Sequence, residues 1–276
     1  MQRIKIWIPL ALLSLLILNP AFAQKSKEVT ETISLDADGR VMVDTYKGSI
    51  DVKTWDRDEV SVEALIVADE HDDLVPLTEV HIRRSGSVLR IETDYKKAKK
   101  QGKKFKLFGN SYLSLPYVHY TIRMPRTADL RIEDYKSEIF VESLVADLDL
   151  ETYKGEVQIR DVEGDIRIDT YKGDVRATEL AGSLEADTYK GNIVAEFIEF
   201  SGNSAIDTYR GDIDLRLPEN AGFDLDASLG KKGDLDTNFT LRNVKVEKNN
   251  YHGSIGGGGP LLEVDTYRGR IQLSGL

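Results

Sequence analysis

Five evenly spaced copies of one short phrase hold most of the chemistry this chain has to offer. They read Glu133-Asp134-Tyr135-Lys136-Ser137, Glu151-Thr152-Tyr153-Lys154-Gly155, Asp169-Thr170-Tyr171-Lys172-Gly173, Asp187-Thr188-Tyr189-Lys190-Gly191 and Asp207-Thr208-Tyr209-Arg210-Gly211. The steps between them are 18, 18, 18 and 20 residues, and outlying copies sit at Asp44–Gly48 and Asp265–Gly269. Each copy sets a carboxylate, a phenol and a cation close together. Such a set suits sugars: an aromatic ring buries apolar C–H surface while its hydroxyl keeps a polar partner, and Asp and Lys bond the sugar hydroxyls. The candidate ligand-binding residues are therefore Tyr135, Tyr153, Tyr171, Tyr189 and Tyr209, with Lys154, Lys172, Lys190 and Arg210.

The elements that carry these residues follow from the flanks. In Asp165-Ile166-Arg167-Ile168-Asp169 and in Asp174-Val175-Arg176-Ala177, polar and apolar residues alternate, the mark of strands with one buried face. Overlaying the copies gives inward columns. Leu130, Leu148, Ile166, Leu184 and Ser204 form one, and Ile132, Leu150, Ile168, Ala186 and Ile206 the next. A third holds Ile139, Val157, Val175, Ile193 and Ile213, and a fourth Val141, Ile159, Ala177, Ala195 and Leu215. Leu144, Val162, Leu180 and Ile198 are expected to fill a corner. Gly155, Gly173, Gly191 and Gly211 are expected to supply turns that need positive φ, with Ser137 making the first turn different.

A unit of two short strands cannot bury its own face, but stacked copies can. Two folds meet the pattern. An antiparallel β-meander would separate equivalent residues by an intervening strand. A parallel β-solenoid of about 18 residues per coil would stack them about 4.8 Å apart. The outward residues repeat as faithfully as the core, which favours the solenoid: an all-β, single-domain chain with irregular β caps at both ends. In that arrangement the tyrosines form a ladder worth roughly 0.5–1.5 kcal/mol per ring pair. An acidic column (Glu133, Glu151, Asp169, Asp187, Asp207) and a basic one (Lys136, Lys154, Lys172, Lys190, Arg210) flank it. Like charges at the strand spacing repel, so each column is expected to neutralise the other. The stripe thus reads either as a structural ladder or as a binding strip.

The ends bound the compartment. A basic start, an apolar run over Ile6–Leu18 and Ala21-Phe22-Ala23 read as a secretory signal peptide, residues 1–23, cleaved after Ala23 and too short to span a bilayer. Cysteine is absent, so neither disulfides nor a lipidated cysteine are expected. The expectation is a periplasmic or secreted protein without a transmembrane anchor. The remaining divisions are an irregular β half at 24–127 beginning with a loose leader, regular coils at 128–217, and degenerate coils with a terminal cap at 218–276. A hairpin is expected around Ser85-Gly86-Ser87, and no helix outside the signal.

With these features in place, the chain resembles the bacterial "putative adhesin" family, extracytoplasmic β-solenoid domains of unknown function. The likeness rests on Tyr120-Thr121-Ile122-Arg123-Met124-Pro125 entering the solenoid and on the successive Gly-x-Ile/Val turns. Asp51–Asp56 leading to Val60-Ser61-Val62 adds to it, as does Gly256-Gly257-Gly258-Gly259-Pro260 before Thr266–Ile271. The Tyr-Lys/Arg pair departs from the family, whose turns more often carry Ser or Asn. The resemblance implies compartment and fold but little chemistry.

Formal net charge is −10, and an acidic body argues against nucleic acid as a partner. Against that background Lys96, Lys97, Lys99, Lys100, Lys103, Lys104 and Lys106 form a basic run without an acid. It reads as a solvated loop, or as a polyanion site or peripheral membrane contact. Ice binding fits poorly beside such dense charge.

The rival class is a polysaccharide-active, lyase-like enzyme using calcium-bound Asp and an Arg or Lys base on an outward face. A catalytic centre needs one asymmetric, pKa-tuned cluster, whereas these coils are alike, so no catalytic residue is assigned. His71, His81, His119 and His252 lack metal-ligand spacing, and no cofactor is expected. Gly256–Gly259 lacks the Lys-Ser/Thr of a phosphate loop, and no nucleophile elbow is present. The reading is a non-enzymatic cell-envelope protein acting in adhesion, glycan binding or scaffolding, its partner an envelope glycan or another surface protein.

Overall fold

The computed structural model describes residues 25–69, 72–105, 114–231 and 233–276. The segment expected to be a signal peptide, His71 and Lys106 lie outside them, as do the side chains of Lys103 and Lys104. Among the described residues twenty-one strands form one sheet. Its centre is parallel and in register: Leu148 lies opposite Leu130 and Ile166, Asp169 opposite Asp187, and Asp187 opposite Asp207. Equivalent residues are direct neighbours, so the chain is a β-solenoid and not a meander. The four inward columns are buried throughout, and their apolar members belong to one continuous core.

The outlying copies belong inside this stack. Arg40–Asp44 and Lys47–Trp55 lie in parallel register on Asp129–Asp134 and Lys136–Leu144. Leu261–Thr266 and Arg270–Gly275 lie likewise on Ser204–Thr208 and Ile213–Leu217. The last coil in sequence is thus not the last in space, because Phe223–Leu229 and Asp234–Thr237 pack outside it. Val88–Asp94 and Tyr117–Pro125 likewise cover the coil at 40–55. Beyond these the pairing turns antiparallel. Glu59–Val67 and the expected hairpin partner Glu79–Ser85 close one end; Asn250–Ile255 and Arg242–Glu247 close the other. The leader at 24–32, expected to be loose, instead contributes most of a full strand, Ser26–Ser34, on Glu59–Val67. Such caps shield the apolar columns that an open solenoid end would expose.

Three local expectations change. Of the four turn glycines Gly155 has positive φ, at 149°, whereas Gly173, Gly191 and Gly211 serve close approach alone. At Gly173 a Cβ would sit 1.7 Å from the carbonyl oxygen of Gly155, and at Gly191 1.9 Å from that of Gly173. The turns stack backbone on backbone: Gly155 N–H donates to Lys172 O at 3.1 Å and Gly173 N–H to Lys190 O at 3.2 Å. Left-handed conformations occur instead at the opposite corner, where Ser143, Asp161 and Glu179 have φ of 63°, 55° and 57°.

The second change is in the corner column, where Phe197 replaces Ile198. A register shift after Ala177 brings Phe197 opposite Leu180, leaving Phe197 buried and Ile198 57% exposed. The third is a helix, α1 (Lys96–Phe105), in the Lys-rich run. Asp94 Oδ1 caps it by accepting the Lys96 N–H at 2.7 Å, and Tyr95 and Ala98 are its buried contacts. Two small anchors leave no apolar stripe to read in the sequence.

Candidate functional site

Side chains alternate across each strand, so the buried Thr column (Thr152, Thr170, Thr188, Thr208, Thr266) places the acid before it and the Tyr after it on the outer face. The five expected rings stack, and Tyr46 and Tyr267 extend the row to seven. Successive centroids are 4.9–5.0 Å apart with interplanar angles of 3–11°. Tyr95 packs edge-on against Tyr46 at 6.0 Å.

This stacking alters what the strip can offer. Neighbouring rings cover one another's faces, so Tyr135, Tyr153, Tyr171 and Tyr189, 39–43% exposed, present edges and hydroxyls to solvent. The edge of an aromatic ring is its electropositive part. Among the described residues, no ladder hydroxyl has a hydrogen-bond partner.

The acidic and basic columns do not neutralise each other. Among the described residues Lys136, Lys154, Lys172, Lys190 and Arg210 form no ion pair. Lys172 instead reaches over the Tyr171 ring at 5.0 Å. Lys47 is the exception in this column. It is buried, 2.7 Å from Asp69, 3.3 Å from Ser114 Oγ and 4.0 Å over the Tyr117 ring. Burial opposes ionisation of Asp69, yet hydrogen bonds from Lys47 and Ser114 hold its carboxyl below the usual range.

The acids find their cations on their own strands. Arg131 binds Glu133 at 2.9 Å, Glu151 at 3.2 Å and Asp149 besides. Arg167 binds Asp169 at 3.0 Å and Glu185 at 3.3 Å. Residues two apart share a face of a strand, so the Arg-Ile-Glu and Arg-Ile-Asp spacing was the signal that sequence reasoning missed.

Past Arg167 this compensation stops. The corresponding positions are Glu185, Ala205 and Glu263. Partial burial, then Asp187, Asp265 and Glu263, push the Asp207 carboxyl up to about 6. Asp187 is raised by burial and by Asp169 and Glu185, and Asp265 by burial and by Asp226. A shallow groove of about 580 Å³ runs between this column and the rings, lined by Glu151, Tyr153, Asp169, Tyr171, Asp187 and Tyr189.

Of the Lys-rich run, Lys96 pairs with Asp94 at 3.3 Å and Lys97 with Glu79. Lys99 lies 5.7 Å over the Tyr46 ring, so α1 sits at the head of the ladder. Among the described residues no group of three or more His, Asp or Glu is arranged to hold a metal ion, and no helix is long and apolar enough to cross a membrane.

Fold and surface together define a capped β-solenoid with one continuous aromatic and charged stripe. The chain matches the Toastrack DUF4097 family over residues 22–274 and belongs to it. Among solved structures it is similar to a putative cell adhesion protein from Clostridium sporogenes, at 13% identity and a TM-score of 0.40, covering 91% of this chain and 100% of that one. It is also similar to a putative adhesin from Bacteroides fragilis, at 12% identity and a TM-score of 0.39, covering 91% and 97%. A third is a putative lipid binding protein from Parabacteroides distasonis, at 15% identity and a TM-score of 0.25, covering 90% and 96%. No curated protein matches the chain.

Proposed function

We propose that this protein is a non-enzymatic binding module of the cell envelope, outside the cytoplasm, that holds an extended surface glycan along its tyrosine ladder. The observation that carries this reading is the row of exposed polar groups that bond to no other described side chain. Exposed lysines without acidic partners and phenol hydroxyls without hydrogen bonds repeat every 4.9–5.0 Å along the stripe. A purely structural ladder needs the ring contacts but has no use for unpaired donors. A linear ligand with one polar group per step satisfies them in turn.

The repetition also argues against the lyase reading. The Tyr and Lys/Arg of the stripe recur from coil to coil, and such a row distributes contacts instead of creating one reactive centre. The adhesin names given to similar proteins agree with a binding role.

Glycan-array binding of the protein, beside its Tyr171→Ala and Tyr189→Ala variants, tests the reading. Graded loss of affinity with each ring removed supports it. Variants that lose thermal stability while keeping full glycan affinity refute it, as does lyase activity abolished by changing the Asp or Arg of a single coil.

A further inference from the structure

The stripe is not uniform along its length. In the half nearer α1, Arg131 and Arg167 pair with the acidic column, so Lys136, Lys154 and Lys172, which form no ion pair among the described residues, stand beside a partly compensated neighbour. Lys99 of α1 adds a further cation at the head of the ladder. In the other half the arginines give way to Glu185, Ala205 and Glu263. There the carboxylates Asp187, Asp207, Asp265 and Glu263 crowd one another, and the outward cations are Lys190, Arg210 and Arg268.

Ring orientation sharpens the distinction. Because the rings stack face to face, the ladder turns electropositive edges and hydroxyl donors outward beside those lysines. We propose that the half of the stripe from Lys99 to Lys172 is a site for a linear acidic polysaccharide of the polyuronate class, laid along the solenoid axis. The inference rests on the glycan reading above and assigns the ligand its charge and its place.

Lys136, Lys154 and Lys172 offer cations for sugar carboxylates, and the Arg131 and Arg167 ion pairs between them hold carboxylate oxygens that accept sugar hydroxyls. An extended pyranose chain advances by about one coil step per residue. Nucleic acid fits less well, since bases stack on open ring faces and these faces are covered. A membrane fits less well too, because among the described residues the tyrosine, acidic and basic columns hold no aliphatic side chains to insert.

The test is titration of the protein with sodium polygalacturonate, with a neutral linear β-glucan of matched length, and with vesicles containing phosphatidylglycerol. The expected result is polygalacturonate binding that weakens at higher salt. Lys154→Glu with Lys172→Glu should lower this affinity at least tenfold, and Arg210→Glu with Arg268→Glu by less than threefold, each with Tm retained. Tyr171→Phe, which keeps the ring and removes the hydroxyl, should lower it severalfold.

Equal losses from the two charge-reversed pairs overturn the assignment to one half. Vesicle binding without polygalacturonate binding overturns the ligand class. Binding of the neutral glucan alone overturns this inference and leaves the glycan reading standing, whereas binding of neither polysaccharide sinks both.

Discussion

The carboxylate of Asp134 accepts two hydrogen bonds from Ser137, one from its backbone N–H and one from its hydroxyl, each at 2.7 Å. Both residues depart from the repeat, Asp134 standing where other coils have Thr and Ser137 where they have Gly. Thr152 of the next coil adds a third bond to the same carboxylate at 2.9 Å. The two departures form one unit: the acid supplies acceptors for the extra hydroxyl, and burial raises its pKa.

That pairing predicts strong coupling between the two positions. Ser137→Gly alone leaves a buried carboxylate short of a donor and should cost about 1 kcal/mol. Asp134→Thr together with Ser137→Gly restores the common phrase and should recover most of the loss. A double-mutant cycle in urea should return a coupling energy of at least about 0.5 kcal/mol; additive effects would contradict the pairing.

Stacked turns leave little room beyond glycine where Gly173 meets Gly155. Gly173→Ala would drive a Cβ into the Gly155 carbonyl, a backbone atom held by its own ladder. We expect a loss of about 3 kcal/mol or failure to fold. Gly257→Ala, with nothing within 4 Å of the added Cβ, should stay within about 0.5 kcal/mol of the parent. Thermal melts of the two variants decide it.

Tyrosines inside the ladder have two ring partners, and Tyr267 has one. Tyr171→Ala should therefore cost about 1–3 kcal/mol in stacking and Tyr267→Ala about half of that. Chemical denaturation measures both. Equal costs would show that the ring contacts contribute little beyond local packing.

Stability should depend on pH through the uncompensated acids. Asp207 titrates near 6 in the folded protein, above its unfolded value near 3.9. The folded state then binds the proton more tightly, so this group's contribution is fully present below about pH 3.9 and is lost as pH rises through about 6. Asp187 and Asp265, raised in the same way, act with the same sign. Asp207→Asn should raise Tm at pH 7.5 and leave it unchanged near pH 3.5. Solvent screening of a half-exposed group trims the gain to about 2 °C. A lower Tm at pH 7.5 would contradict the repulsion.

The parallel stack and its four core columns were legible because strand alternation and an 18-residue step are both local properties of the chain. Asp165 to Ala177 alone encodes one coil, and copies of it can bury their apolar faces only on one another. The seven-ring ladder was half legible, since the pentapeptide at Asp265–Gly269 is identical to that at Asp207–Gly211. Its place beside that coil was not, because 58 residues separate the two along the chain.

Tertiary structure alone decided what no local pattern states. Which coil covers an open edge depends on the surfaces left exposed, so the coils at 40–55 and 261–275 enter the stack out of sequence order. Phe197 displaces Ile198 because a register shift moved the corner by one residue. Arginines pair with the acidic column over only part of its length because ion pairing depends on which side chains share a strand face. Sequence period determined the coil; contacts between distant coils determined its neighbours, its charge balance and the surface it leaves open.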